Sequence, residues 1–186
     1  MKPELLSRDE SVLVVVDYQE KLMPHIYGKE AILGKAGLLL FAAETLGVPV
    51  LATEQYPKGL GGTVPEVRGA IPSFAPVEKN CFSCAGEPEF SRRLAALGRK
   101  QVILMGVETH VCVGQTALEL AAKGNSVYIV VDASGSRRPL DAQTALRRLE
   151  SVGIGLVTAE GVVFEWLRRA GTDEFKKISV RVKESH

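Results

Sequence analysis

Three residues far apart in the chain, Asp17, Lys79 and Cys112, carry side chains that together could break an acyl bond. A thiol with an ordinary pKa of about 8.5 is only a few per cent thiolate near neutral pH, so a cysteine nucleophile needs help. A nearby ammonium and the positive end of a helix both favour the thiolate. Cys112 opens a predicted helix and would have both if Lys79 lay close. Asp17 could then take the thiol proton and return it to a leaving group, as a general acid–base does. No histidine is needed. The three His suit a triad poorly, with His25 in a loop after the first strand and His186 at the terminus.

Taken singly, each residue has a bland explanation. A buried cysteine is a small apolar side chain, an aspartate after a strand is a turn or cap residue, and a lysine is a solvated charge. Asp132 fits such a cap. Position is what sets the three apart. Short β-branched runs alternate with helical stretches, the pattern of a parallel sheet covered by helices on both faces. Strands are predicted at Ser11 to Asp17, Val48 to Glu54, Ala75 to Asn80, Gln101 to Val107, Ser126 to Asp132 and Ile154 to Thr158. Helices are predicted at Glu30 to Leu46, Pro88 to Leu97, Cys112 to Ala122, Leu140 to Ser151, Val162 to Ala170 and Asp173 to Val182. Gln55 to Pro72 reads as a Gly- and Pro-rich loop. Open parallel sheets bind ligands at the carboxyl ends of their strands, and Asp17, Lys79 and Cys112 all fall at such ends.

The chain of 186 residues fits one domain, 1–186, with neither repeat nor linker. At 46% apolar and 24% charged residues it has a globular balance, and a net charge of +1 gives no footprint for nucleic acid. No run is long and apolar enough to span a membrane, and no signal core precedes the first strand, so a cytoplasmic protein is expected. The three Cys suit free thiols in a reducing compartment. Cys81 and Cys84 form a C-x-x-C, but no second pair of ligands accompanies it, so no metal and no cofactor are expected.

The segments VVVDYQEKL around Asp17, EKNCFS around Lys79 and GVETHVCV around Cys112 resemble the isochorismatase-like family of cysteine hydrolases, which includes the nicotinamidases. TEQYPKGLGGTVPE and FEWLRRAGTDEFKKIS resemble its isochorismatase-domain-containing branch. The resemblance implies an α/β fold of three layers, α/β/α, with a parallel Rossmann-like sheet of about six strands. It also implies the triad Asp17, Lys79 and Cys112. A cis peptide before Glu108 is implied as well, with the backbone N–H groups of Glu108 and Cys112 forming an oxyanion hole. Two departures matter. Nicotinamidases follow the second strand with an Asp and His residues that hold a metal, where this chain reads TEQYPKGLGG without His. Isochorismatases proper lack the cysteine.

The expected activity is cleavage of a small amide or ester through a covalent acyl-enzyme. The alternatives are vinyl-ether hydrolysis, a non-catalytic binding relative, or a redox-sensing thiol. Gln19, Gln55, Tyr56 and Phe82 are candidate substrate contacts, with loop packing the competing role for Tyr56 and Phe82. The apolar residues of the tail, Phe164, Trp166, Leu167, Phe175 and Ile178, either pack on the sheet or meet another subunit, and a homo-oligomer is expected.

Overall fold

The computed structural model describes residues 4–184. Six strands form one sheet: β1 (Ser11–Val16), β2 (Val50–Gln55), β3 (Val77–Lys79), β4 (Gln101–Val107), β5 (Ser126–Gly135) and β6 (Gly155–Val157). Their spatial order is β3-β2-β1-β4-β5-β6, and every pairing is parallel. The chain therefore runs outward from β1 in one direction, returns, and runs outward in the other. The reversal lies between β1 and β4, whose carboxyl ends flank the crevice where such sheets place ligands.

Every residue of β1 and β4 is buried. That explains their unbroken apolar sequences, since both faces of a central parallel strand are covered. Burying one Val or Leu side chain in this way is worth roughly 1.5–3 kcal/mol. Side chains alternate between two cores. Leu13, Val15, Ile103 and Met105 pack beneath α1 (Lys29–Leu46), α7 (Ala159–Leu167) and α8 (Asp173–Glu184). Val12, Val14, Val102 and Leu104 face α4 (Pro88–Leu97), α5 (Gly114–Ala122) and α6 (Pro139–Ser151). Trp166 and Ile178 of the tail are buried in the first core, which is one of the two placements expected for them.

Predicted and observed elements agree closely at α1, α4, β1 and β4. Differences occur where periodicity is too short to read. The Gly- and Pro-rich loop contains two one-turn helices, α2 (Pro57–Leu60) and α3 (Pro65–Arg68), each opened by a proline. Helix α5 begins at Gly114 and is preceded by a five-residue π-helical turn, Thr109–Val113, which holds Cys112. Strand β5 runs on to Gly135 because a bulge shifts its register between Leu104↔Ile129 and Gly106↔Ser134. Asp132 lies in that bulged stretch, where Oδ1 accepts the backbone N–H of Ala159 at 2.8 Å and caps the start of α7.

One glycine controls the seam. Gly106 has φ 145°, and a Cβ built there would lie 2.2 Å from the carbonyl oxygen of Val16. Only a residue without a side chain lets β4 lie so close to the end of β1.

Candidate active site

Asp17 follows β1 in a left-handed conformation, φ 55°, an uncommon state for a residue other than glycine. The turn is held from the next residue on, because the buried Tyr18 hydroxyl donates to the carbonyl of Ala133. Burial raises the Tyr18 phenol far above its ordinary range, so it stays a donor. The Asp17 carboxylate is fully buried, with a donor on each oxygen: Thr53 Oγ1 reaches Oδ1 at 2.7 Å and Lys79 Nζ reaches Oδ2 at 2.7 Å.

Lys79 ends β3 two strands away and is equally buried. Besides Asp17, its ammonium faces Gln55 Oε1 at 2.7 Å, the Phe82 carbonyl at 3.0 Å and the Cys81 carbonyl at 3.4 Å. An ammonium has three protons to give. The surrounding chain thus takes all of them. Burial is the largest influence and works to lower the Lys79 pKa, but the Asp17 carboxylate and the Cys84 and Cys112 sulfurs together outweigh it and hold the amine above the ordinary lysine range.

Gln19 and Gln55 build the frame around this pair. The Gln19 amide bonds both backbone groups of Gln55, accepting from its N–H at 2.7 Å and donating to its carbonyl at 2.9 Å, and also donates to the Gly61 carbonyl at 2.7 Å. The Gln55 side chain joins Lys79 to the Asn80 carbonyl at 2.8 Å. Both glutamines are buried with their amides engaged inside the protein. Tyr56 and Phe82 differ: each is 54% exposed, and Tyr56 also has a positive φ.

Cys112 is buried among the residues of the second core. Burial pushes its thiol well above the ordinary range, Asp17 adds to the rise through its charge and a hydrogen bond, and Lys79 opposes them. The thiolate-favouring surroundings expected from the sequence are therefore outweighed. Burial and a facing carboxylate prevail over one ammonium already paired with that carboxylate. The Val107–Glu108 peptide is cis, as the resemblance implied. The Glu108 carboxylate turns outward to Arg137, accepting from Nε at 3.0 Å and from its backbone N–H at 3.1 Å. His110 Nδ1 lies 2.9 Å from Ser136 Oγ.

Thr53, Cys84 and Thr116 were not anticipated. Thr53 sits in a β-branched strand, where threonine reads as a strand former. Its only signal is register, since β2 pairs Thr53 with Val16, immediately before Asp17. Cys81 and Cys84 are both free thiols, and among the described residues no group of three or more His, Cys, Asp or Glu is arranged to hold a metal. The residues that follow β2, Tyr56 to Gly62, include no Asp, Glu or His, so this stretch offers none of the ligand types that usually hold a catalytic metal.

A parallel sheet between helices, with a buried acid, amine and thiol gathered at the carboxyl ends of its strands, has the architecture of an α/β enzyme. Residues 11–161 match the isochorismatase domain, and the chain belongs to this family. Isochorismatase domain-containing protein 2A of Mus musculus is 41% identical over 177 residues, covering 95% of this chain and 84% of that protein. The MAR1 ribonuclease structure from Caenorhabditis elegans superposes with a TM-score of 0.90 at 34% identity, covering 97% of this chain and 93% of that one. The YcaC gene product of Escherichia coli, described as an octameric hydrolase of unknown specificity, shares the fold, with a TM-score of 0.91 at 24% identity over 100% and 95% of the two chains. Family membership supports a hydrolase of this superfamily. Among the described residues no helix is long and apolar enough to cross a membrane.

Proposed function

We propose that the protein is a cysteine hydrolase of small amides or esters, with Cys112 as nucleophile, Asp17 as proton carrier and Lys79 as the charge that holds Asp17 in place. The observation that supports it most is the buried Lys79–Asp17 pair, 2.7 Å apart, saturated on Lys79 and near enough to Cys112 for both charges to act on its thiol. Because the thiol is protonated at rest, its proton passes to Asp17 as the sulfur attacks the carbonyl carbon. Negative charge gathers on the carbonyl oxygen, facing the backbone N–H groups of Glu108 and Cys112. Asp17 gives the proton to the departing amine or alcohol, leaving a thioester on Cys112. Water then attacks the thioester, Asp17 takes its proton, and the acid leaves as the thiol is restored. Gln19 and Gln55 act as framework, and Tyr56 and Phe82 as the substrate's rim.

In this reading the chain acts as one domain in the cytoplasm, without metal, cofactor, nucleic acid or membrane. The octameric assembly described for YcaC favours a homo-oligomer. The ribonuclease name of the nematode relative sets the rival substrate. The test is turnover of p-nitrophenyl acetate, small aliphatic amides and RNA by the unaltered protein and Cys112→Ala. Ester or amide turnover that vanishes with the thiol is expected. Turnover that survives Cys112→Ala, or RNA cleavage alone, overturns the proposal. Alkylation of Cys112 by iodoacetamide should still be climbing at about pH 10, where an ordinary thiol has levelled off.

A further inference from the structure

The C-x-x-C motif does not serve as a pair. Cys81 is partly exposed, with its sulfur 4.0 Å from the Glu87 carboxylate, whereas Cys84 is completely buried beside the acid–base centre. Cys84 Sγ lies 3.7 Å from Thr53 Oγ1, a contact in which either atom could donate. Proton counting decides between them. Thr53 has one hydroxyl proton, and it points to Asp17 Oδ1 at 2.7 Å, a carboxylate oxygen that can only accept. The Thr53 oxygen is therefore the acceptor, and the Cys84 thiol is the donor.

A second arm leaves the same residue. The Cys84 backbone N–H donates to Thr116 Oγ1 at 2.8 Å, and that hydroxyl donates to the Cys112 carbonyl at 2.6 Å. Two short chains thus start at Cys84. One ends on the acid–base carboxylate and the other on the backbone of the nucleophile.

We infer that Cys84 is a positioning residue, whose thiol aims the Thr53 hydroxyl at Asp17 while its backbone, through Thr116, fixes the carbonyl of Cys112. The inference rests on the roles of Asp17 and Cys112 given above. Burial first, and then the Asp17 charge, push the Cys84 thiol up to about 11, so it is a proton donor throughout the neutral range. With its donor present, Thr53 keeps its proton on Asp17 and draws negative charge to the oxygen that it touches. Without that donor the hydroxyl is less firmly aimed, Asp17 repels a developing Cys112 thiolate more strongly, and the thiolate becomes scarcer.

The test measures the pH dependence of Cys112 alkylation by iodoacetamide, followed by peptide mapping, in the unaltered protein and four variants. Cys84→Ala should slow labelling near neutral pH about threefold and move the profile to higher pH, as expected for loss of one weak donor (about 0.5–1 kcal/mol). Thr53→Val should do the same more strongly, about tenfold. Cys84→Ser and Thr53→Ser keep the donors and should restore the original profile. Thermal unfolding of each variant separates this effect from simple loss of packing. If Cys112 resists labelling at every pH in the unaltered protein, the proposed function and this inference fall together. If Cys112 is labelled normally but its profile ignores Cys84→Ala, or Cys84→Ser does not restore it in a folded protein, this inference alone is overturned.

Discussion

Strands β1 and β4 are buried along their whole length, yet their two ends carry different polar chemistry. At the amino edge the buried side chains are neutral, and the charged Glu165 and Arg168, which bond the Leu6 backbone, are only partly covered. Gln101 accepts from the Ser7 N–H at 2.8 Å and the Ser11 hydroxyl at 3.2 Å, and donates to the Leu5 carbonyl at 3.2 Å. Trp166 Nε1 donates to Ser11 Oγ at 3.0 Å and ties α7 to the sheet. At the carboxyl edge a carboxylate, an ammonium and two thiols are packed together. A neutral network can be satisfied in full and needs no ionised group away from water. A buried ion pair carries a desolvation penalty, and replacing it by apolar residues is often neutral or stabilising. The amino edge is therefore built for cohesion, and the carboxyl edge keeps a costly arrangement that the proposed chemistry would explain.

The contrast is sharpest at Cys112. Cys112→Ala should reduce ester turnover by roughly a thousandfold or more while shifting unfolding by about 1–2 kcal/mol, read by steady-state kinetics and denaturant melts. Retained activity would break the functional half of the comparison. Lys79→Met should be the most destabilising change at this edge, by about 3–5 kcal/mol, because it leaves the Asp17 carboxylate buried without its partner. The double variant Asp17→Asn, Lys79→Met should recover much of that stability and none of the activity, and a double-mutant cycle measures the coupling.

At the opposite edge Gln101→Leu should lower stability by about 1–3 kcal/mol, since Ser7, Ser11 and the Leu5 carbonyl lose their partner. Its turnover should stay within about twofold; a larger kinetic loss would show that the edges are not independent. The smallest effect is expected from Tyr56→Ala, with KM rising about two- to fivefold, kcat little changed and the melt unaltered, in keeping with a rim residue.

Much of this was legible in the sequence because it follows from covering and from chain ends. The unbroken apolar runs of β1 and β4 report strands covered on both faces, and Pro88 with Gly98 marks the limits of α4, where Gly98 takes φ 63°. The carboxyl-edge rule and three family motifs located Asp17, Lys79 and Cys112, and the structure brings the three together. What stayed hidden depends on register and on burial. Thr53 reads as one β-branched residue among several, and Cys84 as half of a C-x-x-C, until pairing of β2 with β1 sets Thr53 beside Asp17 and the turn after β3 sets Cys84 beside Thr53. The direction of the Cys112 pKa was hidden for the same reason, since helix ends and charges can be read from a sequence but the depth of burial cannot.

Gly106 gives the site its tolerance. A single added methyl group would sit 2.2 Å from the Val16 carbonyl, far inside an ordinary carbon–oxygen contact of about 3.3–3.6 Å. Asp17 follows Val16 directly, and Cys112 lies six residues beyond Gly106, on the other side of the seam. The approach of the segment that carries Cys112 to the end of β1, where Asp17 sits, thus depends on the missing side chain of Gly106. Gly106→Ala acts as a shim: it widens the seam while leaving the acid, the amine and the thiol chemically intact.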